Sequence, residues 1–141
     1  MIGGRETTLL LVKNPAGANE VLRTLALEPG EHDLLAVLND HAADGRDVSW
    51  IWDADMEVVV PRIRRATCSG KRAAELALRL KYAGLDPSRI VVEHEIPAAL
   101  DRAVRDGEPG RPLYALPTYT ALLSLRGHLA GRGVARPYWK S

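Results

Sequence analysis

Apolar runs of strand length alternate with amphipathic segments of helix length along almost the whole chain, and this alternation narrows the fold more than any other feature. Thr8–Val12 is a short continuous apolar run, as expected of a strand buried on both faces. Lys13-Asn14-Pro15 breaks it, and Val21, Leu22 and Leu25 then recur at helical spacing. Asn14 is a natural N-cap with Pro15 at the first helical position, and Pro29-Gly30 ends that helix. His32–Leu38 reads as a second buried strand. Met56–Ile63 is ambiguous, because Val58-Val59-Val60 favours a strand. Pro61 and the spacing of Met56, Val59, Val60 and Ile63 favour a short helix, which is the expectation adopted. A strand near Arg65–Cys68 follows. Ser69-Gly70 then opens the helix KRAAELALRLKYAG, with Leu76, Leu80 and Ala83 on one face and Gly84 as its C-cap. Arg89–Glu93 is a strand, Ile96–Arg105 a helix and Leu113–Leu116 a strand. The last helix, YTALLSLRGHLAGRG, is closed by Gly131 and Gly133.

Strands separated by helical crossovers pair in parallel. The expected class is therefore α/β, a three-layer domain with a mostly parallel sheet of five or six strands and helices on both faces. Its 141 residues suffice for one domain with its own core. Residues 1–7 and 134–141 are expected to be loose ends, with Tyr138 and Trp139 either packing or free. Charged residues make up 26% and the formal net charge is +1, which points to neither nucleic acid nor an anionic membrane surface. No apolar run approaches the roughly 20 residues that span a bilayer. The start of the chain lacks a secretory layout, so a cytoplasmic location without membrane insertion is expected.

In such folds functional groups gather at the carboxyl ends of the strands. One stretch that follows a strand stands out there. Residues 39–55, NDHAADGRDVSWIWDAD, hold five aspartates (Asp40, Asp44, Asp47, Asp53, Asp55) and two of the three tryptophans. Carboxylates that close repel one another, which a chain tolerates for solvation, for a cation, or for a partner's base or arginine. The single cysteine, Cys68, excludes an internal disulfide and a cysteine-cluster metal site. At a strand end it reads as a buried, inert thiol, although a dyad with His41 or His94 remains open. The four histidines show no ligand spacing, so no metal is assigned. Neither GxxxxGK[ST] nor GxGxxG is present. Lys13 and the Ser69-Gly70-Lys71-Arg72 turn are either anion contacts or solvated cations. Arg62, Arg64 and Arg65 form a candidate interface. A lone aspartate becomes useful to catalysis when it orients a histidine, and that histidine can belong to another chain.

Four motifs in order, LLLVKNPAGANEVLRTL, LNDHAADGRDVSWIWDADME, SGKRAAELALRLKYAG and LPTYTALLSLRG, resemble the C-terminal domain of the MurT family. Its members are the Mur-ligase-like subunits of lipid II isoglutaminyl synthases. The likeness runs from about Leu9 to Arg126. It implies a Rossmann-like domain in a heterodimer with a GatD-like glutaminase subunit, whose Cys–His pair frees ammonia from glutamine. It implies too that the domain supplies an aspartate to that pair. Asp53 and Asp47 are the candidates, with Asp44 behind them as a turn-former before Gly45. Trp50 and Trp52 are expected as braces for Asp53 or as docking anchors. The implied overall reaction is ATP-dependent amidation of D-glutamate to D-isoglutamine in the peptidoglycan precursor lipid II. The KNP turn stands where other Mur ligases carry a DYAHNP-like motif, without its aspartate and histidine. The N-terminal and central Mur-ligase domains, which use ATP and Mg, have no counterpart in this sequence. No cofactor is expected in this domain, and alone it should have neither ligase nor glutaminase activity. The alternative reading is a stand-alone Rossmann-like nucleotide or small-molecule binding domain.

Overall fold

Parallel strands need crossovers that lie on the faces of the sheet, and the computed structural model, which describes residue 2 and residues 5–131, has that arrangement. The elements are β1 (Thr7–Leu9), α1 (Pro15–Leu27), β2 (His32–Val37), β3 (Ile63–Ser69), α2 (Ala73–Tyr82), β4 (Ile90–Val92), α3 (Ile96–Arg105), β5 (Leu113–Pro117) and α4 (Tyr119–Gly131). All five strands are parallel, in the order β1-β5-β2-β3-β4. The α/β, three-layer expectation holds.

β2 is buried along its whole length, and its side chains alternate between two cores. Leu34, Ala36 and Leu38 face α1 and α2, where Ala18, Leu22, Leu25, Leu76 and Leu80 meet them. Leu35 and Val37 face α3 and α4, through Ala99, Leu100, Ala121 and Leu125. The period-2 switch within one strand is what makes the sheet the middle layer.

Several expected boundaries hold for the reasons the residues suggested. Asn14 Oδ1 accepts the Gly17 N–H at 2.9 Å and Pro15 opens α1. Ile96–Arg105 is helical as expected. β1 is shorter than Thr8–Val12, although the Leu10 and Val12 N–H groups still donate to Ala115 and Pro117 at 2.8 and 3.0 Å. α2 starts at Ala73 rather than at Ser69-Gly70. Gly70 has φ +90°, and the next two amides donate outside any helix, Lys71 N–H to Asn39 Oδ1 at 3.0 Å and Arg72 N–H to the Leu38 carbonyl at 3.0 Å.

Three expectations change. The β2–β3 crossover contains no α-helix. Met56–Ile63 forms two 3₁₀ turns, Met56–Val58 and Val60–Arg62, since Pro61 lacks the amide that a longer helix would need. Residues 1–7 are not uniformly loose, because Ile2 and Arg5 are buried and bridge each other through their backbones. Arg5 lies under the amino end of the sheet, where its guanidinium donates to the carbonyls of Ala103, 2.7 Å away, and Arg111, 2.8 Å away, and pairs with the Asp33 carboxylate. Arg64 joins from the other side, its Nε 2.6 Å from Asp33 Oδ1 and its Nη2 2.9 Å from the Asp106 carbonyl. The Asp33 hydrogen bond holds the Arg64 pKa above its ordinary value. Arg64 therefore closes the bottom of the domain rather than offering an interface. Gly133 and residues 134–141, including Tyr138 and Trp139, lie outside the described residues.

Candidate functional site

A segment that leaves the carboxyl end of β2 and re-enters the amino end of β3 must cross one face of the sheet. Residues 39–62 do so as a strap over the α1/α2 layer. Val48, Ile51, Ala54, Met56 and Val59 plug its underside into the core that a crossover helix would otherwise cover. The start of the acidic stretch sits at the carboxyl end of the sheet as expected, but its later aspartates ride on the flank. There the Asp55 N–H donates to Asn19 Oδ1 of α1 at 2.7 Å, while Trp52 leans on α2.

The strap is moored at its start by Asn39, which is buried. Its N–H donates to Thr118 Oγ1 and its Nδ2 to Thr120 Oγ1, each at 3.1 Å, while its Oδ1 accepts the Lys71 amide. The ends of β2, β3 and β5 are thereby tied through one residue, by its backbone amide and its side chain together. Asp44 Oδ1 accepts the Thr120 N–H at 2.7 Å, and its other oxygen accepts the Thr120 hydroxyl. This carboxylate therefore caps the start of α4, where a negative group is favourable. Asp40 pairs with Arg72 at 3.0 Å, and the Arg72 hydrogen bond holds its carboxyl below the usual carboxylate range. Asp47 Oδ1 accepts the Ser49 N–H at 2.9 Å, opening the 3₁₀ turn Ser49–Trp52, and its hydrogen bonds to Ser49 lower its pKa.

Three of the five aspartates thus hold the strap's own backbone or a neighbouring element. Asp53 and Asp55 differ: both are exposed, and no described residue donates to either carboxylate. Asp53 ends the Ser49–Trp52 turn, its N–H on the Trp50 carbonyl at 3.0 Å. Of the two expected candidates, Asp53 offers a free carboxylate and Asp47 an engaged one.

The side chain that braces this turn escaped the sequence reading. Arg79 of α2 is buried, its Nε donating to the Ile51 carbonyl at 2.8 Å and its Nη2 to the Ala54 carbonyl at 2.6 Å. Its two terminal nitrogens also hold the Glu57 carboxylate at 3.0 and 2.9 Å, which keeps the Glu57 pKa below its ordinary value. The Trp52 ring lies 5.5 Å from the guanidinium carbon and 5.8 Å from the Tyr82 ring. Trp52 is 45% exposed and Tyr82 71%. Trp50 instead packs against the core, beside an apolar cavity of about 50 Å³ that Leu22, Leu38, Ile51 and Met56 also line. The missed signal was an arginine on an apolar stripe, since Arg79 falls three residues after Leu76 and four before Ala83.

The other candidates separate cleanly. Cys68 is fully buried and burial pushes its thiol up to about 12, whereas His41 and His94 are exposed, so the dyad is not formed. Among the described residues no group of three or more His, Cys, Asp or Glu could hold a metal. Lys13 is exposed. An open cleft of about 630 Å³ between the ends of β2–β4 and the starts of α3 and α4 is lined by His41, Lys71, His94 and Thr120, among others. No helix of the described residues is long and apolar enough to cross a membrane.

A family model described as MurT ligase C-terminal matches residues 11–122. The chain belongs to this family. The strap, α2 and the start of α4 all fall inside the region that defines the MurT C-terminal domain. Curated relatives include the lipid II isoglutaminyl synthase (glutamine-hydrolyzing) subunit MurT of Streptococcus pneumoniae strain R6, 37% identical over 136 residues. That match covers 96% of this chain and 30% of the relative. The subunit of the same name from Staphylococcus aureus strain COL is 40% identical over 119 residues, covering 84% of this chain and 26% of the relative. The chain therefore spans under a third of the length of either MurT subunit. Among solved structures, Mycobacterium tuberculosis folylpolyglutamate synthase, crystallised with ADP and AMPPCP, matches with a TM-score of 0.53 at 20% identity. The match covers 89% of this chain and 29% of that one, and at this identity it speaks for the shared fold alone.

Proposed function

We propose that this domain works within a lipid II isoglutaminyl synthase by docking a GatD-like glutaminase subunit and lending it the Asp53 carboxylate. The observation that carries the reading is the division among the aspartates: Asp44 and Asp47 are engaged within the fold, while Asp53 presents a free carboxylate on a braced turn. A carboxylate so presented accepts the Nδ1–H of a partner histidine, fixes its tautomer and stabilises the imidazolium formed when the histidine takes the thiol proton. Exposed Trp52 and Tyr82 beside it give a partner apolar surface to cover, and covering it would remove water from the carboxylate–imidazole pair. The ammonia released would serve ATP-dependent amidation of D-glutamate in lipid II.

ATP and its magnesium ion belong, in this reading, to the remainder of the subunit. The described residues offer no carboxylate cluster for a metal, and Asn14 of the KNP turn has its side-chain oxygen on the Gly17 amide of α1. The stand-alone binder remains the competing reading through the His41–Lys71–His94 cleft. Calorimetry of this chain with ATP separates the two, and micromolar affinity would favour the binder.

The direct experiment mixes this chain with its glutaminase subunit and follows glutamine hydrolysis. Asp53→Asn is expected to lower kcat by on the order of 10²-fold or more while the complex still forms. Asp47→Asn, which only loosens the start of the turn, should cost far less. Full activity of Asp53→Asn would sink the assignment.

A further inference from the structure

We infer that Arg79 is a positioning residue for Asp53: one buried guanidinium fixes the backbone on both sides of the aspartate and so sets where its carboxylate points. The inference rests on the reading of Asp53 given above. The two carbonyls that Arg79 holds belong to Ile51, two residues before Asp53, and Ala54, one residue after it. The Trp52 ring, adjacent to Asp53, lies against the same guanidinium, and Glu57 anchors the next turn to its outer edge. Residues 51, 52, 54 and 57 are all held by this side chain, and Asp53 is the exposed carboxylate that lies between the two clamped carbonyls, whereas Asp55 lies beyond them.

The strap needs such a clamp. It is made of short 3₁₀ turns, whose hydrogen bonds are poorer than those of an α-helix, and its exposed tip has no strand partner. A planar guanidinium can serve two carbonyls and a carboxylate at once in fixed directions, which a lysine ammonium cannot do. An aspartate that must meet a histidine on another molecule has to be in place before docking, because small misplacements of catalytic groups are costly. Holding the turn from within the domain achieves that without taking up any of the oxygens that the partner would use.

The test compares Asp53→Asn, Arg79→Lys and the double variant in the complex with the glutaminase subunit, reading kcat and KM for glutamine, complex affinity and thermal unfolding. Arg79→Lys is expected to lower kcat by about 10- to 100-fold while KM and complex affinity stay within about twofold. The double variant is expected to be no slower than Asp53→Asn alone, because an effect exerted through Asp53 vanishes with it. Multiplying losses, or wild-type kcat in Arg79→Lys, would overturn the inference while an inactive Asp53→Asn left the parent reading standing. Full activity of Asp53→Asn would instead remove the parent reading. If Arg79→Lys does not fold, Glu57→Gln replaces it: it keeps the carbonyl contacts and should give a smaller kcat loss, equally absent in the Asp53→Asn background. Losses that multiply there count against the inference in the same way.

Discussion

Arg5 and Arg79 are both buried arginines that gather backbone carbonyls and one carboxylate, yet the surroundings of the carboxylate differ. The side chain of Asp33, the partner of Arg5, is 3% exposed and is held by Arg64 as well. Glu57, the partner of Arg79, is 58% exposed. At the amino end of the sheet the ion pair is sealed on all sides, and Gly107 packs so close that an added Cβ would collide with the Arg5 guanidinium and Asp33. On the flank the pair is open on its outer side, and the backbone it clamps carries free carboxylates outward. The same chemistry closes the domain in one place and presents a group in the other.

Breaking the sealed pair should have the largest effect. Asp33→Ala leaves the Arg5 charge buried without a counter-ion, and chemical denaturation should report a loss of about 3–5 kcal/mol across the whole domain. The mooring of the strap should matter less. Asp44→Ala removes the acceptor at the start of α4, and a loss of about 0.5–2 kcal/mol is expected in thermal unfolding. Hydrogen exchange should localise it to α4 and the start of the strap, and uniform acceleration across the sheet would erase the distinction between the two regions. The smallest effect sharpens it. Arg79 lowers the Glu57 pKa in the folded state, so this pair's contribution is fully present above the ordinary value of 4.5 and is lost as pH falls through the folded value. Glu57→Gln should therefore flatten the stability–pH curve below about pH 4.5, by less than about 1 kcal/mol because the carboxylate is largely solvated. An unchanged acid limb would mean that solvent already screens the pair completely.

The division between sealed and open regions also marks what the sequence could convey. Helices and strands announced themselves through local terms: the Asn14 cap, Gly84 with its φ of +108° behind α2, and the single-face periodicity of Ile96–Arg105. The parallel sheet followed from alternation. The strap did not, because its conformation is set by contacts remote in sequence, from Arg79 to carbonyls 25 and 28 residues away. Arg5, whose hydrogen-bond partners lie as far as 107 residues along the chain, falls within an expected loose end for the same reason. The acidic stretch was legible as a place but not as a division of labour. Which aspartate is engaged depends on Thr120, Arg72 and the Ser49 amide, and charge spacing says nothing of them.

Cys68 has one consequence of its own. It is fully buried in β3, ionises only near 12 and lies in the core shared by α1 and α2. A thiolate-seeking reagent therefore reaches sulfur only in those molecules whose helical layer has lifted from the sheet. With no second cysteine to compete, the rate of alkylation is a clock for the breathing of the central sheet.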